Sequence, residues 1–423
     1  MNILIIGSGG REHSLGIALK KSKNCDALFF APGNTGTATL GQNLAISETD
    51  FNALIAAVKT HHIELTVVGP EGPLVNGIVD HFESQNLAIM GPHKISAQLE
   101  GSKAWAKDKM KRYNIPTAAY ATFIEFNTAK NYIESRNVYP IVIKADGLAA
   151  GKGVTVATNH SMALTALTDC FLDQKFSQAG LQVVIEDFLV GEEASILAFT
   201  DGETIIAMPP AQDHKAVFDG DKGPNTGGMG AYCPAPIATP TIQEQVMQKV
   251  LQPLISGFKK DGILYKGIVY AGLMIAPNGQ ASVVEFNARF GDPETEVILP
   301  KLKTDLIDIF FAIINGTLDQ LTIEWDTTTV VGVIMASGGY PGDFEKEKEI
   351  SGIEAAEEIK NVSVIHAGTK EKNNKIVTNG GRVLCVLGQG DSIQSAIKIA
   401  YTGVEKISFE NQHYRTDIGK KAV

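Results

Sequence analysis

Glu285 and Asn287 stand two residues apart in the run "VVEFNARFGDPE" (283–294). On a strand that spacing puts a carboxylate and an amide oxygen on one face. Such a pair suits Mg²⁺, a hard cation that takes few protein ligands and completes its shell with water and phosphate oxygens. Arg289 continues the same face, where it can clamp an anion. Taken alone, the run reads equally well as an exposed polar strand face. "IVIKADGLAAGKGV" (141–154) tips the balance. Lys144 ends a strand, and Gly147, Gly151 and Gly153 follow with Lys152 among them. Such a loop lets backbone N–H groups approach phosphate oxygens, and lysine adds a point charge. It is not a Walker A loop, because the glycine–lysine–serine/threonine ending is missing.

Two further stretches carry polar groups in suggestive order. In "VIEDFLVGEEAS" (184–195), Glu186, Leu189 and Glu193 offer an apolar slot for a base and acceptors for a ribose. A strand running into a solvated acidic turn is the stronger reading without context. "QDHKAVFDGDKGPNTGGMGAY" (212–232) reads as a long glycine-rich loop, a feature that is usually functional or disordered. Asp213, His214 and Lys215 at its start favour function, although a lone His214 is more often structural. "GSGGREH" (7–13) follows the apolar run "NILII" and invites a dinucleotide reading. That reading fails twice. The third fingerprint position is Glu12, and the second strand ends in Ala31-Pro32 with no acid for a ribose. The loop still opens a helix, whose N-terminus attracts anions.

The elements that must hold these groups follow from periodicity. Over the first hundred residues, strand-like and helix-like runs alternate, which implies a parallel sheet with its ligand loops at the strand ends. "PLVNGIVDHFES" and "EGSKAWAKDKMKRYN" each read as one helix, the second ended by Pro116. "TIQEQVMQKVLQPLISGFKK" places Val246, Val250, Leu254 and Phe258 on one helical face. "YKGIVYAGLMIAPNGQASVVEFNARF" reads as a hairpin turning at Asn278-Gly279. "VVGVIMAS", "VSVIHAG" and "RVLCVLG" are strands of a smaller last unit. A length of 423 residues exceeds one core, so roughly two to four domains are expected. A net charge of −10 argues against nucleic acid as a partner. The four cysteines have neither metal nor redox spacing. No signal peptide or membrane span is read, so a soluble, cytoplasmic protein without a membrane partner is expected.

Taken together, "GSGGREH", "GPEGPL", "KADGLAAGKGV", "DHK", "NTGGMGAY" and "EFNARFGDPETE" resemble, in order, motifs of the ATP-grasp ligases. Within them the chain is similar to the family that joins glycine to phosphoribosylamine. The resemblance spans nearly the whole chain and is weakest at about 345–375; "GPNTGGMG" and "EFNARFGDPE" are its most specific parts. It implies an α/β and α+β multidomain protein. A Rossmann-like parallel-sheet domain would cover 1–102, an ATP-grasp core 103–327 with a lid at about 123–193, and a small β-rich domain 328–423.

The same resemblance implies roles. Lys103, Lys144 and the loop with Gly151, Lys152 and Gly153 would meet the ATP phosphates. Glu186 and Leu189 would meet the adenine, Glu193 the ribose, and Glu285 and Asn287 would hold Mg²⁺ (or Mn²⁺). Glycine and 5-phosphoribosylamine would be the other substrates. Gly9 and Gly10 would help hold the phosphoribosylamine, with Glu71 on its ribose and Asn225, Thr226 and Gly227 also at the substrate. Arg382 would reach its 5′-phosphate, although a surface cation at a strand start is an equal reading. Arg289 and Lys215 would stabilise an acyl phosphate. Asp213, Asp292 or Glu294 would orient the amine or take its proton, with no choice among them. Leu273 stands where many ATP-grasp enzymes carry a metal carboxylate, which weighs against a second fully coordinated Mg²⁺ and leaves the number of metal ions open. A monomer or weak homo-oligomer is expected. The rivals are an ATP-grasp ligase for another acid or amine, a nicotinamide-dependent oxidoreductase and a non-catalytic nucleotide binder.

Overall fold

β1 (Asn2–Gly7) is a continuous apolar run, as suits a strand covered on both faces. With β2 (Ala27–Pro32), β3 (Gln42–Asn43), β4 (Ile63–Val68) and β5 (Ile89–Met90) it forms a parallel sheet in the order β3-β2-β1-β4-β5. The computed structural model describes residues 1–148, 153–173 and 175–423. The stretch "PLVNGIVDHFES" is two short helices, Glu71–Asn76 and Ile78–Glu83. They break at Gly77, whose φ of +91° lies in the left-handed region that glycine enters freely. The next long helical run is also split, into Lys94–Gly101 and Lys103–Arg112. Ser102 adopts extended backbone between them, and its Oγ accepts from the Trp105 N–H at 3.1 Å. An N-cap inside the run thus starts a new helix. That helix stops at Arg112, four residues before Pro116.

β6 (Tyr120–Phe123), β7 (Ile141–Ala145), β8 (Val154–Ala157) and β9 (Val183–Asp187) form an antiparallel sheet in the order β6-β9-β7-β8. β10 (Glu192–Thr200) and β11 (Ile205–Ala207) begin the next sheet. The stretch read as a glycine-rich loop is instead four short strands: β12 (Gln212–Asp213), β13 (Ala216–Phe218), β14 (Lys222–Asn225) and β15 (Gly230–Cys233). Its glycines serve turns and a close strand pairing rather than disorder.

The helix after β15 keeps Val246, Val250, Leu254 and Phe258 buried on one face, as its spacing predicts. It is not regular, because Met247–Leu251 forms a π turn just ahead of Pro253. Proline has no N–H to give and crowds the preceding turn, and the wider turn absorbs both. β16 (Gly267–Ile275) and β17 (Ala281–Asn287) pair as the expected hairpin and extend the sheet to β11-β10-β16-β17. β18 (Thr329–Ala336), β19 (Val362–His366), β20 (Thr369–Lys372), β21 (Lys375–Thr378) and β22 (Arg382–Gly390) complete the strands. The last large sheet runs β12-β15-β18-β22-β19, so two of its strands come from the middle of the chain.

Candidate active site

A cavity of about 500 Å³ is lined from several of these units at once. One wall is the helix Lys103–Arg112 with the end of β7. Asp146, just past β7, accepts from Ser102 Oγ at 3.0 Å and from the Ala104 N–H at 3.0 Å, tying the glycine loop to the helix start. Lys103 Nζ donates to the Gly147 carbonyl at 2.8 Å. Burial pulls the Lys103 ammonium below its usual range, although Glu285 and Asp146 oppose this. Lys107 lies one turn on, on the same face. It is buried, and Nζ donates to Glu186 Oε2 at 2.8 Å and to Thr117 Oγ1 at 2.7 Å. Burial lowers it to about 8, against the pull of Glu186. Lys144 Nζ sits 2.9 Å from Glu186 Oε1 and donates to the Val284 carbonyl at 2.9 Å. Two buried lysines therefore pinch one carboxylate.

β17 supplies the opposite wall through an irregularity. Gly272 pairs with Glu285 but Leu273 pairs with Val283, which leaves Val284 as an extra residue in a bulge. Before the bulge Ala281 and Val283 face the core; after it Phe286 and Ala288 do. Strict alternation would have put Glu285 and Asn287 in that core. The bulge turns both into the cavity. It also sets Leu273 in the core and Gly272 opposite Glu285, so Leu273 does not face the site. Burial alone would raise the Glu285 carboxyl, but Lys215, Lys144 and Lys103 hold it below its usual range. One ionised carboxylate and one amide oxygen facing a cavity suit a hard divalent cation. Among the described residues no group of three His, Cys, Asp or Glu is placed to hold a metal ion.

Arg289 follows. It donates from Nε to Glu71 at 3.3 Å and from Nη2 to Asn287 Oδ1 at 3.2 Å, and Nη2 lies 2.8 Å from Glu100. Burial opposes its charge, yet Glu100 and Glu71 raise its pKa. Beyond it, Glu294 accepts from Tyr270 Oη at 2.6 Å and Ser195 Oγ at 3.0 Å. Asp292 pairs with Arg382 Nη2 at 3.0 Å. Arg382 Nη1 donates to the Gly227 carbonyl at 2.6 Å, and the Gly227 N–H donates to Tyr340 Oη at 2.9 Å. Arg382 is therefore a mostly buried cavity residue, not a surface cation.

Asp213 and Lys215 project from β12 and the residues after it. Lys215 Nζ lies 2.8 Å from Glu193 and 4.0 Å from Glu285. Burial would lower its pKa, but Glu193, Asp213 and Glu285 raise it well above the ordinary value. Asp213 is pushed up to about 7 by burial, with Glu294, Glu193 and Glu285 adding to the shift and Lys215 opposing it.

The expected residues Glu71, Lys103, Lys144, Gly153, Glu186 and Asp213 all line this cavity. So do Lys215, Asn225, Thr226, Gly227 and Glu285, and with them Asn287, Arg289, Asp292, Glu294 and Arg382. Glu193 reaches it through Lys215, whereas Leu189 stands outside the lining. Gly151 and Lys152 lie outside the described residues. Gly9 and Gly10 sit just behind the lining: a Cβ on Gly9 would lie 3.5 Å from Asp292, and one on Gly10 would meet Glu296 at 2.5 Å. The Gly9 N–H is already taken by Glu12 Oε2 at 2.6 Å. Glu12 fills the space against Gly7 and Gly69, which is the physical form of the broken fingerprint.

Sequence reasoning missed Arg11, Glu100, Lys107, Tyr270 and Tyr340, which also line the cavity. Lys107 had a signal, its four-residue spacing from Lys103. Arg11 had one too, its place inside "GSGGREH"; Glu100, Tyr270 and Tyr340 come from distant segments and had none.

Three family models match the chain: phosphoribosylglycinamide synthetase N domain over 1–100, its ATP-grasp (A) domain over 101–295 and its C domain over 330–421. Curated relatives include phosphoribosylamine–glycine ligase of Pasteurella multocida, 49% identical over all of this chain and 98% of the relative. That of Yersinia pestis is 48% identical over 100% and 99%. Among solved structures, phosphoribosylamine–glycine ligase from Thermotoga maritima superposes with a TM-score of 0.86 at 34% identity, covering 99% of this chain and 100% of that one. The biotin carboxylase domain of the Hydrogenobacter thermophilus 2-oxoglutarate carboxylase, at 14% identity and TM-score 0.73 over 98% and 91%, shares the fold.

Proposed function

The chain belongs to the phosphoribosylglycinamide synthetase family, and from that premise we propose that it joins glycine to 5-phosphoribosylamine at the expense of ATP, giving glycinamide ribonucleotide, ADP and phosphate in purine biosynthesis. The observation that carries this reading is one cavity gathering Lys103 and Lys144, the Glu285–Asn287 pair, and the Asp213–Lys215 and Arg382 groups.

A carboxylate does not acylate an amine at neutral pH, because oxide is a poor leaving group. The γ-phosphoryl of ATP therefore passes to the glycine carboxylate, giving glycyl phosphate. The amine attacks its carbonyl carbon, the C–O bond to phosphate breaks, and one amine proton is lost. Lys103 and Lys144 meet the ATP phosphates, together with the glycine loop, and Glu186 lies on the adenine side, which Leu189 reaches only when the segment that carries it closes over the nucleotide. Held at Glu285 and Asn287, Mg²⁺ (or Mn²⁺) supplies positive charge to those phosphates. Glu193 turns from Lys215 to the ribose, freeing the ammonium for the acyl phosphate oxygens beside Arg289.

The three acids left open by the sequence are not alike. Asp292 is committed to Arg382, and Glu294 accepts two hydroxyl donors. Asp213 has neither constraint and titrates near neutrality, which suits a proton acceptor. Glu71 holds the phosphoribosylamine from the parallel-sheet side, with the helix start at Gly9 and Gly10 behind it, while Asn225, Thr226, Gly227 and Arg382 close over it. The segment 123–193 acts as a lid that keeps water from the acyl phosphate. No helix among the described residues is long and apolar enough to cross a membrane. The reading extends to a monomer or weak homo-oligomer in the cytoplasm, which sedimentation of the purified protein checks.

The test is MgATP-dependent phosphate release with glycine, with and without phosphoribosylamine made in situ from ribose 5-phosphate and ammonia. Release that requires both substrates, with glycinamide ribonucleotide found by mass, is the expected result. No release from protein that binds ATP rejects this substrate pair.

A further inference from the structure

The residues from β12 onward alternate in direction. Asp213 and Lys215 line the cavity, whereas His214 and Ala216 turn away from it and are buried. What they meet is the segment 413–421, which contributes nothing to the described cavity lining. The Gly419 N–H donates to His214 Nε2 at 3.4 Å. Arg415 Nη1 donates to the Ala216 carbonyl at 3.1 Å, and His413 Nε2 lies 2.8 Å from the Val217 carbonyl oxygen. Farther along, the Thr416 N–H donates to Asp219 at 2.8 Å, and the Gly220 N–H donates to Asp417 at 2.8 Å. The segment therefore laces the back of the stretch 214–220 almost residue by residue.

Arg415 is the centre of this lacing. Its side chain is fully buried, and its guanidinium donates to both Asp417 oxygens at 2.7 and 2.8 Å and to Asp221 at 3.0 Å. A planar fork fixes direction as well as distance, which a flexible ammonium does not. The need for such a hold is visible in the ladder. β12 is two residues long, and past it the backbone is held by single bonds: the His214 N–H donates to the Gly230 carbonyl at 2.9 Å, the Met229 N–H to the His214 carbonyl at 2.8 Å and the Thr226 N–H to the Lys215 carbonyl at 2.8 Å. So thin a ladder at a sheet edge opens more readily than a long strand does, and the lacing from behind adds to its hold. Lys215 lies just past the end of β12.

We propose that the segment 413–421, through Arg415, is a buttress that fixes Asp213 and Lys215 against the cavity, and that Arg415 is a positioning residue for amide formation. The proposal rests on the ligase reading above. A displacement of about 1 Å in a reacting group costs up to about 10²-fold in rate, so a loosened buttress strikes turnover before it strikes nucleotide binding.

The experiment compares wild type, Arg415→Lys and Asp219→Ala. Arg415→Lys keeps the charge and removes the fork. Asp219→Ala removes the solvent-exposed contacts from Thr416 and a carboxyl neighbour of Asp417, while Arg415 and its own partners stay in place. For Arg415→Lys the expected result is a fall of about tenfold or more in kcat for glycine-dependent phosphate release, with the Kd for MgATP within about twofold of wild type. Asp219→Ala falls in the same direction by less. Arg415→Lys that folds and keeps its kcat, or that loses ATP binding in step with kcat, overturns the proposal. If Arg415→Lys does not fold, a wild-type kcat in Asp219→Ala overturns it. Wild type that releases no phosphate in response to glycine refutes the ligase reading instead.

Discussion

Asp213→Asn separates stability from catalysis in opposite directions. Burial and neighbouring carboxylates lift the Asp213 carboxyl from an ordinary value of 3.8 to about 7. The folded state therefore binds this proton more tightly than the unfolded chain does. For a raised folded pKa, the associated stability is fully present below the unfolded value and is lost as pH rises through the folded one. The window is from about pH 4 to about pH 7. A shift of some three units corresponds to about 4 kcal/mol, and because Asp213 is only partly withdrawn from solvent, about 2 kcal/mol is the expected size. Asparagine carries no such cost. Asp213→Asn should melt higher than wild type at pH 8, by about 2 °C, and match it at pH 4. Its turnover should fall by about 10²-fold or more, the scale of a lost general base. The acid limb of the wild-type kcat profile, centred near pH 7, should vanish with it. Thermal melts across pH and phosphate-release rates across the same range provide the assay. A variant within tenfold of wild-type turnover, or one whose melting tracks wild type at every pH, would refute the assignment of the proton to Asp213.

Other substitutions probe the remaining groups. Glu285→Gln should raise the Mg²⁺ concentration needed for half-maximal turnover while leaving the melting curve near wild type; unchanged turnover at limiting Mg²⁺ rejects the metal assignment. Arg289→Ala should lose about 10²-fold in kcat, the scale of one oxyanion-stabilising donor, and a near-normal rate would make it a structural link between Glu71 and Glu100. Lys107 titrates at about 8, and its neutral form leaves Glu186 to Lys144 alone, so ATP affinity should weaken above pH 8. Nucleotide titrations of Lys107→Met, already weakened at pH 7 and flat with pH, check this.

The sequence carried the chemistry further than it carried the geometry. Residue types at short spacing were readable, because a glycine loop with lysines or a Glu–x–Asn pair lies within a few positions. The hairpin at Asn278-Gly279 and the buried face of Val246, Val250, Leu254 and Phe258 were readable for the same reason. The bulge at Val284 was not. It depends on how β16 and β17 pair, yet it alone decides that Glu285 and Asn287 face the cavity. Breaks inside helices were half readable. Gly77 and Ser102 are recognised breaking and capping residues, but each also sits acceptably within a continuous helical pattern. The acids and arginines that hold one another, such as Glu100 with Arg289 and Asp292 with Arg382, join segments far apart in the chain, and no local pattern records them.

Sheet topology gives these scattered groups a division of labour. Lys144 and Glu186 stand on β7 and β9, and Lys103 and Lys107 on the helix tied to that sheet through Asp146. Asp213 and Arg382 stand instead on β12 and β22, two strands of one five-stranded sheet. Glu285 and Asn287 lie on β17, in the sheet of β10 and β16. The groups suited to phosphate and those suited to the amine are thus carried by different rigid layers, and the proposed metal pair lies on a third. In the proposed reaction ATP would meet one layer and the amine another. Closure of the layers, in that proposal, would bring an activated carboxyl to an amine already held and would confine the hydrolysable intermediate to the closed state. Arg382 strengthens that coupling. It holds Asp292, at the turn after β17, and the Gly227 carbonyl, ahead of β15, with one guanidinium. A single side chain thereby ties the turn after β17 to the loop ahead of β15.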